Sequence, residues 1–427
     1  MKNIIITSIF SFCTLCVYSQ QRLTLEECCN IAVEKNKQGI LSDLSIQKAQ
    51  LQAKNMNSNF LPKLSAVGGY IYADKDFGAE IMPSVDATVN FNNTYTGGIQ
   101  IEQPLFLGGK LIAAKKIAKS GLTIAGFNKK KTDSDIRFET EKAYWNVIKA
   151  KELQNVSEQY MKTVDELYRT VENYYHTGMI SQNEILKVKV KVNEAKLSQK
   201  RCENAVRLAK MSLCNIMGMP IDKDIDVEND LSKFHITSYR SNPSSVENRY
   251  EYKILSENIQ LKNQEIKAVR SDFLPQVGLV AGYNYMNGVK LNGNKLISDG
   301  LFSIMVSVKI PLFHWGEGIR KIKSAKIEQQ MAVVQRDELA EKMQLEISQA
   351  MNMLDESELE VKLTESAFNE ATESLRESKK SYETGMETLV NYMDSQSVWQ
   401  KAWSEYVSAK INYHIANANY LKVTGKR

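Results

Sequence analysis

Two hydrophobic periodicities alternate along the chain, one of helical pitch and one of period two. From Lys110 to Thr177 the chain runs 68 residues without a proline, which at 1.5 Å per residue predicts a helix about 100 Å long. A helix of that length needs partners along its side. The equivalent stretch later in the chain reads as heptads. Val333, Ala340, Ile347, Leu354, Val361, Phe368, Leu375 and Tyr382 recur every seven residues. Met343, Ala350, Ser357, Thr364, Ala371 and Ser378 follow three behind, mostly small. Large residues on one seam and small ones on the other let helices interlock closely. The period-two segments lie elsewhere. Tyr95, Gly97, Ile99 and Ile101 share one face of 94–103, and Thr96, Gly98, Gln100 and Glu102 share the other. Phe302, Ile304, Val306, Val308 and Ile310 alternate in the same way with Ser303, Met305, Ser307 and Lys309. Such alternation predicts half-buried strands, of a length that suits a bilayer-crossing strand. Leu64, Ala66, Tyr70 and Tyr72, with Val277, Leu279, Ala281, Tyr283 and Tyr285, supply the apolar faces of their partner strands.

The pattern is written twice. Asn59-Phe60-Leu61-Pro62 returns as Asp272-Phe273-Leu274-Pro275. Pro104-Leu105-Phe106 returns at a slightly shorter offset as Pro311-Leu312-Phe313, and Tyr175-His176-Thr177-Gly178-Met179 returns at that same shorter offset as Tyr382-Glu383-Thr384-Gly385-Met386. The change of offset falls between the tyrosine-rich segments and the second proline, where a surface loop is expected. Each repeat therefore predicts a helix (about 24–58 and 246–271), a Leu-Pro stop, two strands (about 64–72 and 94–103; 277–285 and 301–310), a long helix (110–177 and 317–384) and a last helix (181–217 and 388–424). The repeats span 20–218 and 246–425. Residues 219–245, with Pro220 and Pro243 and a cluster of Asp, Asn and Ser, read as a linker holding a short helix. The Thr-Gly reversals at Gly178 and Gly385 need a residue that tolerates the left-handed region.

Aromatic residues gather at the expected strand ends: Tyr70, Tyr72, Tyr283 and Tyr285 at one end, Phe106, Phe313 and Trp315 at the other. These are positions for a membrane-interface girdle. Four strands cannot close a barrel, and an open edge in lipid leaves backbone groups without partners. The barrel must then be shared between copies in cyclic symmetry, with two or three copies allowed by the strand count.

Composition narrows the function. Lys2 and the apolar run Ile4–Val17, followed by Ser19, read as a secretory signal peptide over 1–19. Phe12 and Leu15 stand before Cys13 and Cys16, where a lipoprotein signal wants a small residue. After the signal no apolar run reaches the roughly 18 residues that a membrane-spanning helix needs, so none is expected to follow. Glycine (21) and proline (7) are scarce, as long helices require. A net charge of +5 over 427 residues carries no basic stripe for nucleic acid. Cys28, Cys29, Cys202 and Cys214 lack metal-site spacing and read as apolar packers. With four histidines, scattered carboxylates and no phosphate loop or nucleophile elbow, the chain offers no catalytic constellation, cofactor site or metal site.

Leu23-Thr24-Leu25-Glu26-Glu27, the two Phe-Leu-Pro stops, Gln103-Pro104-Leu105-Phe106-Leu107-Gly108-Gly109 and the paired Tyr-x-Thr-Gly-Met turns together resemble the TolC-like outer membrane efflux family (outer membrane factors). They do so over about 20–427. The resemblance implies a mainly α homotrimer. A long α-helical coiled-coil barrel would continue a transmembrane β-barrel to which each chain gives four strands. It implies a passive, gated exit duct in the bacterial outer membrane with a periplasmic helical extension. The duct would be coupled to a periplasmic adaptor (membrane fusion) protein and an inner-membrane RND, ABC or MFS-type transporter. It places the periplasmic tips at Gly178 and Gly385, where the adaptor binds and the tunnel narrows. Asp394 matches a pore-facing acidic position of the family; Asn391 stands where a second acid is expected, which leaves a single acidic ring. Glu184 and Lys187 are the first-repeat equivalents of Asn391 and Asp394, and a Lys187–Asp394 contact between hairpins is the expected latch.

Overall fold

The computed structural model describes residues 22–75, 77–82, 85–90, 93–229, 231, 246–292 and 294–426. The predicted signal segment and most of the latter half of the 219–245 linker lie outside the described residues. The chain divides into two compact units. One takes its first segment up to Ile40, then Thr132–Ser244 and Leu345–Arg427; the other takes Leu41–Lys131 and Ser245–Gln344.

The elements in chain order are β1 (Arg22–Leu23), α1 (Leu25–Lys35), α2 (Lys37–Ser58), β2 (Lys63–Ile71), β3 (Phe77–Met82), β4 (Val85–Asn90), β5 (Thr94–Leu107), α3 (Lys110–His176), α4 (Gln182–Ile216), β6 (Asp226–Val227), α5 (Tyr250–Ser271), β7 (Gln276–Leu291), β8 (Asn294–Lys309), α6 (Glu317–Glu383) and α7 (Leu389–Val423). Among the described residues no helix is long and apolar enough to cross a membrane.

In the first unit α3, α4, α6 and α7 pack lengthwise. The heptad residues of α6 are its inward face. Met343, Ile347, Ala350, Ser357, Val361, Ala371 and Ser378 are buried, and the other seam positions of this stretch are half-buried. Ile347 meets Tyr420 and Val423 of α7, Val361 meets Ala409 and Tyr413, and Phe368 stacks on Tyr406 with ring centroids 5.8 Å apart. Residues later in α6 thus meet residues earlier in α7, the mark of an antiparallel hairpin. The hairpin α3–α4 is built alike, with Tyr160 and Val164 on Val192 and Ala195. The helices α3 and α7 join the two hairpins through Trp145 stacked on His414 at 3.8 Å and a Lys422–Asp135 ion pair of 2.7 Å.

Two sequence expectations change here. The first helix is two helices. Asn36 leaves the helical region at ψ +133°; its side-chain amide donates to the Ile216 carbonyl at 2.7 Å, and its side-chain oxygen accepts the Gln38 N–H. The early linker is not a loose connection. β6 pairs in parallel with β1, and Ile225, Val227 and Leu231 join the core formed by α1, α3 and the end of α4. Asp226 is the fastener: it takes Lys151 together with Arg22 at 3.7 Å and Lys210 at 3.8 Å. Cys28 and Cys214 are fully buried in that core and Cys29 nearly so, and burial pushes the Cys28 thiol up to about 12.

Candidate channel surfaces: the amphipathic sheet and the helical tips

The second unit holds the sheet, in which the long strands run in the order β2-β5-β7-β8, all antiparallel. Cross-strand register sorts the chemistry into rows. Ala66, Ile99, Tyr283 and Phe302 stand level, as do Leu64, Ile101, Ala281 and Ile304. On the opposite face Ser65, Gln100, Gly282 and Ser303 stand level, as do Lys63 and Glu102. Side chains alternate across a strand, so these rows give one largely apolar and one largely polar face. The apolar row is bare in the single chain: Ile99 is 56%, Phe302 64% and Ile304 64% exposed. Among the described residues β2 pairs with β5 alone and β8 with β7 alone, so the outer edges of β2 and β8 carry unspent donors and acceptors.

Strands β7 and β8 are longer than the expected 277–285 and 301–310. Residues 286–300 are rich in Asn, Gly and Lys and read as a loop, yet their backbones keep pairing up to Leu291↔Asn294. In the first repeat the loop region instead carries the β3–β4 hairpin, with Val89 and Asn90 pairing onto the far end of β7.

The aromatics fall into two groups. Tyr70 lies beside Tyr95 in register and donates its hydroxyl hydrogen to Asn93 at 2.6 Å. The Asn287 amide donates to both Tyr95 and Tyr285 at 3.0 Å. Tyr72 follows the end of β2 and is exposed. At the other end Phe313 and Trp315 contact edge-to-face at 5.0 Å, and Phe106 is exposed on β5 past the bulge after Pro104. Tyr95 and Phe106 are eleven residues apart, about 35 Å of strand. With the tilt of a barrel strand that matches an apolar band about 25 Å tall. Tyr283 departs from its expected place at a strand end: it stands mid-strand in the apolar row, because β7 extends beyond it on both sides.

The helical tips are built twice over. Gly178 and Gly385 both sit at φ +75°, with open space where a Cβ would project. Left-handed backbone, not crowding, is therefore what selects glycine there. Each closes its helix in the same way. The Gly178 N–H donates to Tyr175 and the Met179 N–H to Tyr174; the Gly385 N–H donates to Tyr382 and the Met386 N–H to Ser381. Thr388 then caps α7 by accepting the Asn391 N–H at 3.3 Å. Leu167, Val171, Ile185, Val188, Leu389 and Tyr392 bury one another just behind the turns, with Leu375 and Tyr382 against them.

Glu184 is half-buried at the start of α4, close enough for its charge to reach Tyr382. Burial, with the Glu184 charge second, pushes the Tyr382 hydroxyl up to about 12. Tyr382 stacks on Tyr392 at 5.3 Å, and burial raises that hydroxyl too. Sequence reasoning missed these tyrosines as tip residues; the place of Tyr382 on the heptad seam was the available signal. Asn391 and Lys187 are exposed, and Asp394 lies on the same stretch of α7 as Asn391. Lys187 and Asp394 form no ion pair with each other within the chain among the described residues. The cation that senses Asp394 is Lys191, held above its usual value first by its hydrogen bond to Glu194, with Asp394 a smaller contributor.

The chain thus joins long antiparallel helical hairpins in sequence to an amphipathic, open-edged sheet. The family profile described as outer membrane efflux protein matches residues 42–219 and 255–426, and the chain belongs to that family. It is an outer-membrane channel protein and not an enzyme. The chain is 19% identical over 343 residues to the outer membrane efflux protein BepC of Brucella suis, spanning 79% of this chain and 73% of that one. It is 18% identical over 375 residues to the probable outer membrane lipoprotein SilC of Salmonella typhimurium, spanning 86% and 77%. Its fold matches the open-state MtrE outer membrane channel of Neisseria gonorrhoeae with a TM-score of 0.78 at 19% identity, over 94% of this chain and 88% of that one.

Proposed function

We propose that three copies of this chain close a twelve-stranded barrel in the outer membrane and continue it as a helical tunnel. That assembly is the passive, gated exit duct of a tripartite efflux or type I secretion system. The sheet carries the reading: its apolar face is bare and both long edges are unpaired in a single chain. Backbone groups in lipid must be satisfied, and pairing β2 of one copy with β8 of the next satisfies them. The polar face, with Lys63, Gln100, Glu102 and Lys309, then lines a wet lumen.

The exposed turns at Gly178 and Gly385, with Met179 and Met386 beside them, are the ends at which a periplasmic adaptor docks. An inner-membrane RND, ABC or MFS-type transporter supplies the energy. Asp394, near the second turn, gives one carboxylate per copy, and three at a narrow opening attract cations. Asn391 adds no charge to that ring. Purified protein in planar bilayers should give discrete conductance steps that multivalent cations block from the periplasmic side. Asp394→Ala should raise the conductance and weaken the block. No conductance from the wild type counts against the duct, and an unchanged block in the variant counts against the ring.

A further inference from the structure

The two hairpins of the first unit have unlike outer helices. The helix α4 carries eight Lys and Arg against three Glu. The stretch of α6 from Leu345 to Glu383 carries ten Asp and Glu against four Lys and Arg. Between them α3 and α7 pack together, and exposed large apolar side chains are nearly absent from both within this unit, apart from residues toward the tips. The bare apolar residues lie instead on α4, at Leu186, Val190, Leu197 and Leu208, and on α6, at Leu345, Leu359 and Leu363. On α4 they sit opposite the buried face of Ile185, Val188, Val192 and Ala195. Lys189, Lys196 and Arg207 form a row alongside them at spacings of seven and eleven residues, which helical pitch keeps on one side. Among the described residues none of these three is held in an ion pair within the chain. On α6 Glu370 and Glu373 flank Leu359 and Leu363 opposite the heptad seam, Glu373 beside Arg376 of its own helix; Glu356 lies at the border of that face, at the mouth of a cavity lined also by Ser357 and by Lys142 of α3.

The levels also agree. Both tips pack in one cluster, so distance along the helix from the turn measures height. At the helical rise, Lys189, Lys196 and Arg207 stand about 17, 27 and 44 Å beyond Gly178. Glu373, Glu370 and Glu356 stand about 18, 23 and 44 Å before Gly385.

We propose that the basic, leucine-studded outer face of α4 docks on the acidic, leucine-studded outer face of α6 in a second copy of this chain. This charged seam sets which edge meets which as the ring closes. The proposal rests on the ring assembly argued above and adds its recognition chemistry. A head-to-tail contact between two different faces is the kind that generates a closed ring. Opposite charge suppresses the wrong pairings, α4 on α4 and α6 on α6. The leucines supply the area that the charges orient. Exposed charges are screened by salt, so the seam loosens with ionic strength while strand pairing in the barrel does not.

Full-length protein carrying both Arg207→Cys and Glu356→Cys, extracted in mild detergent and treated with a short bis-maleimide, tests this. Covalent dimers and trimers should form at least about tenfold more than with either single variant. A second test keeps the native cysteines only. Reversing Lys189, Lys196 and Arg207 to Glu should make the tunnel-region helices cleavable by protease in the assembled protein. Adding Glu356→Lys, Glu370→Lys and Glu373→Lys to that variant should restore resistance. A native mass of three chains with no inter-chain cross-link, or with reversal variants as resistant as the wild type, overturns the seam and leaves the duct intact. A native mass of one chain overturns the duct itself.

Discussion

At Asp226 three cations converge on one carboxylate from three separate segments: Arg22 from β1, Lys151 from α3 and Lys210 from α4. Desolvation works to raise its proton affinity, but the Lys151 hydrogen bond and the surrounding positive charge win and hold it below the usual 3.8. A lowered folded value means stability that is fully present above the unfolded value and is lost as the pH falls through the folded one. Asp226→Asn should therefore cost about 2 kcal/mol at neutral pH, and the difference from the wild type should vanish well below pH 3.8, read by thermal unfolding across pH. The tip glycines give a contrasting case. Nothing crowds Gly178 or Gly385, so Gly385→Ala should cost only the backbone strain of the left-handed region, about 1 kcal/mol. Faster amide exchange at Met386, with no change in the sheet, is the expected sign. The glycines were legible in the sequence because their requirement is local. The Asp226 fastener was not, because its partners come from segments far apart in the chain.

At the scale of elements the seam of α6 separates residues that hold one chain together from residues that face outward. Ile347 is buried against Tyr420 and Val423, so Ile347→Ala should cost about 2–5 kcal/mol. Leu359 is exposed on the opposite face, and Leu359→Ala should change the stability of one chain by no more than about 0.5 kcal/mol. Thermal denaturation of the two variants side by side reads the contrast. The heptad spacing in sequence identified that seam because a sustained seven-residue repeat leaves one register for the apolar stripe. The break between α1 and α2 escaped the same reasoning. Asn36 turns the chain through a hydrogen bond to Ile216, 180 residues away, and the local pattern runs across it. The extra length of β7 and β8 escaped for a related reason: their distal residues are polar and glycine-rich, and backbone pairing rather than side-chain burial keeps them in register.

For the whole molecule, the duplicated plan, the Leu-Pro stops and the alternating segments placed most helices and strands, and family membership ties them to the outer membrane. The sequence pattern left open how many copies share the wall, because four strands per chain close with two copies or with three. The surfaces that lie bare on one chain, the edges of β2 and β8 and the apolar rows between them, are where neighbouring copies meet in the proposed ring. The most direct test is the native mass of the protein extracted from outer membranes in mild detergent. A complex of three chains is the predicted result. A single chain, stable in solution with β2 and β8 unpaired, contradicts the account.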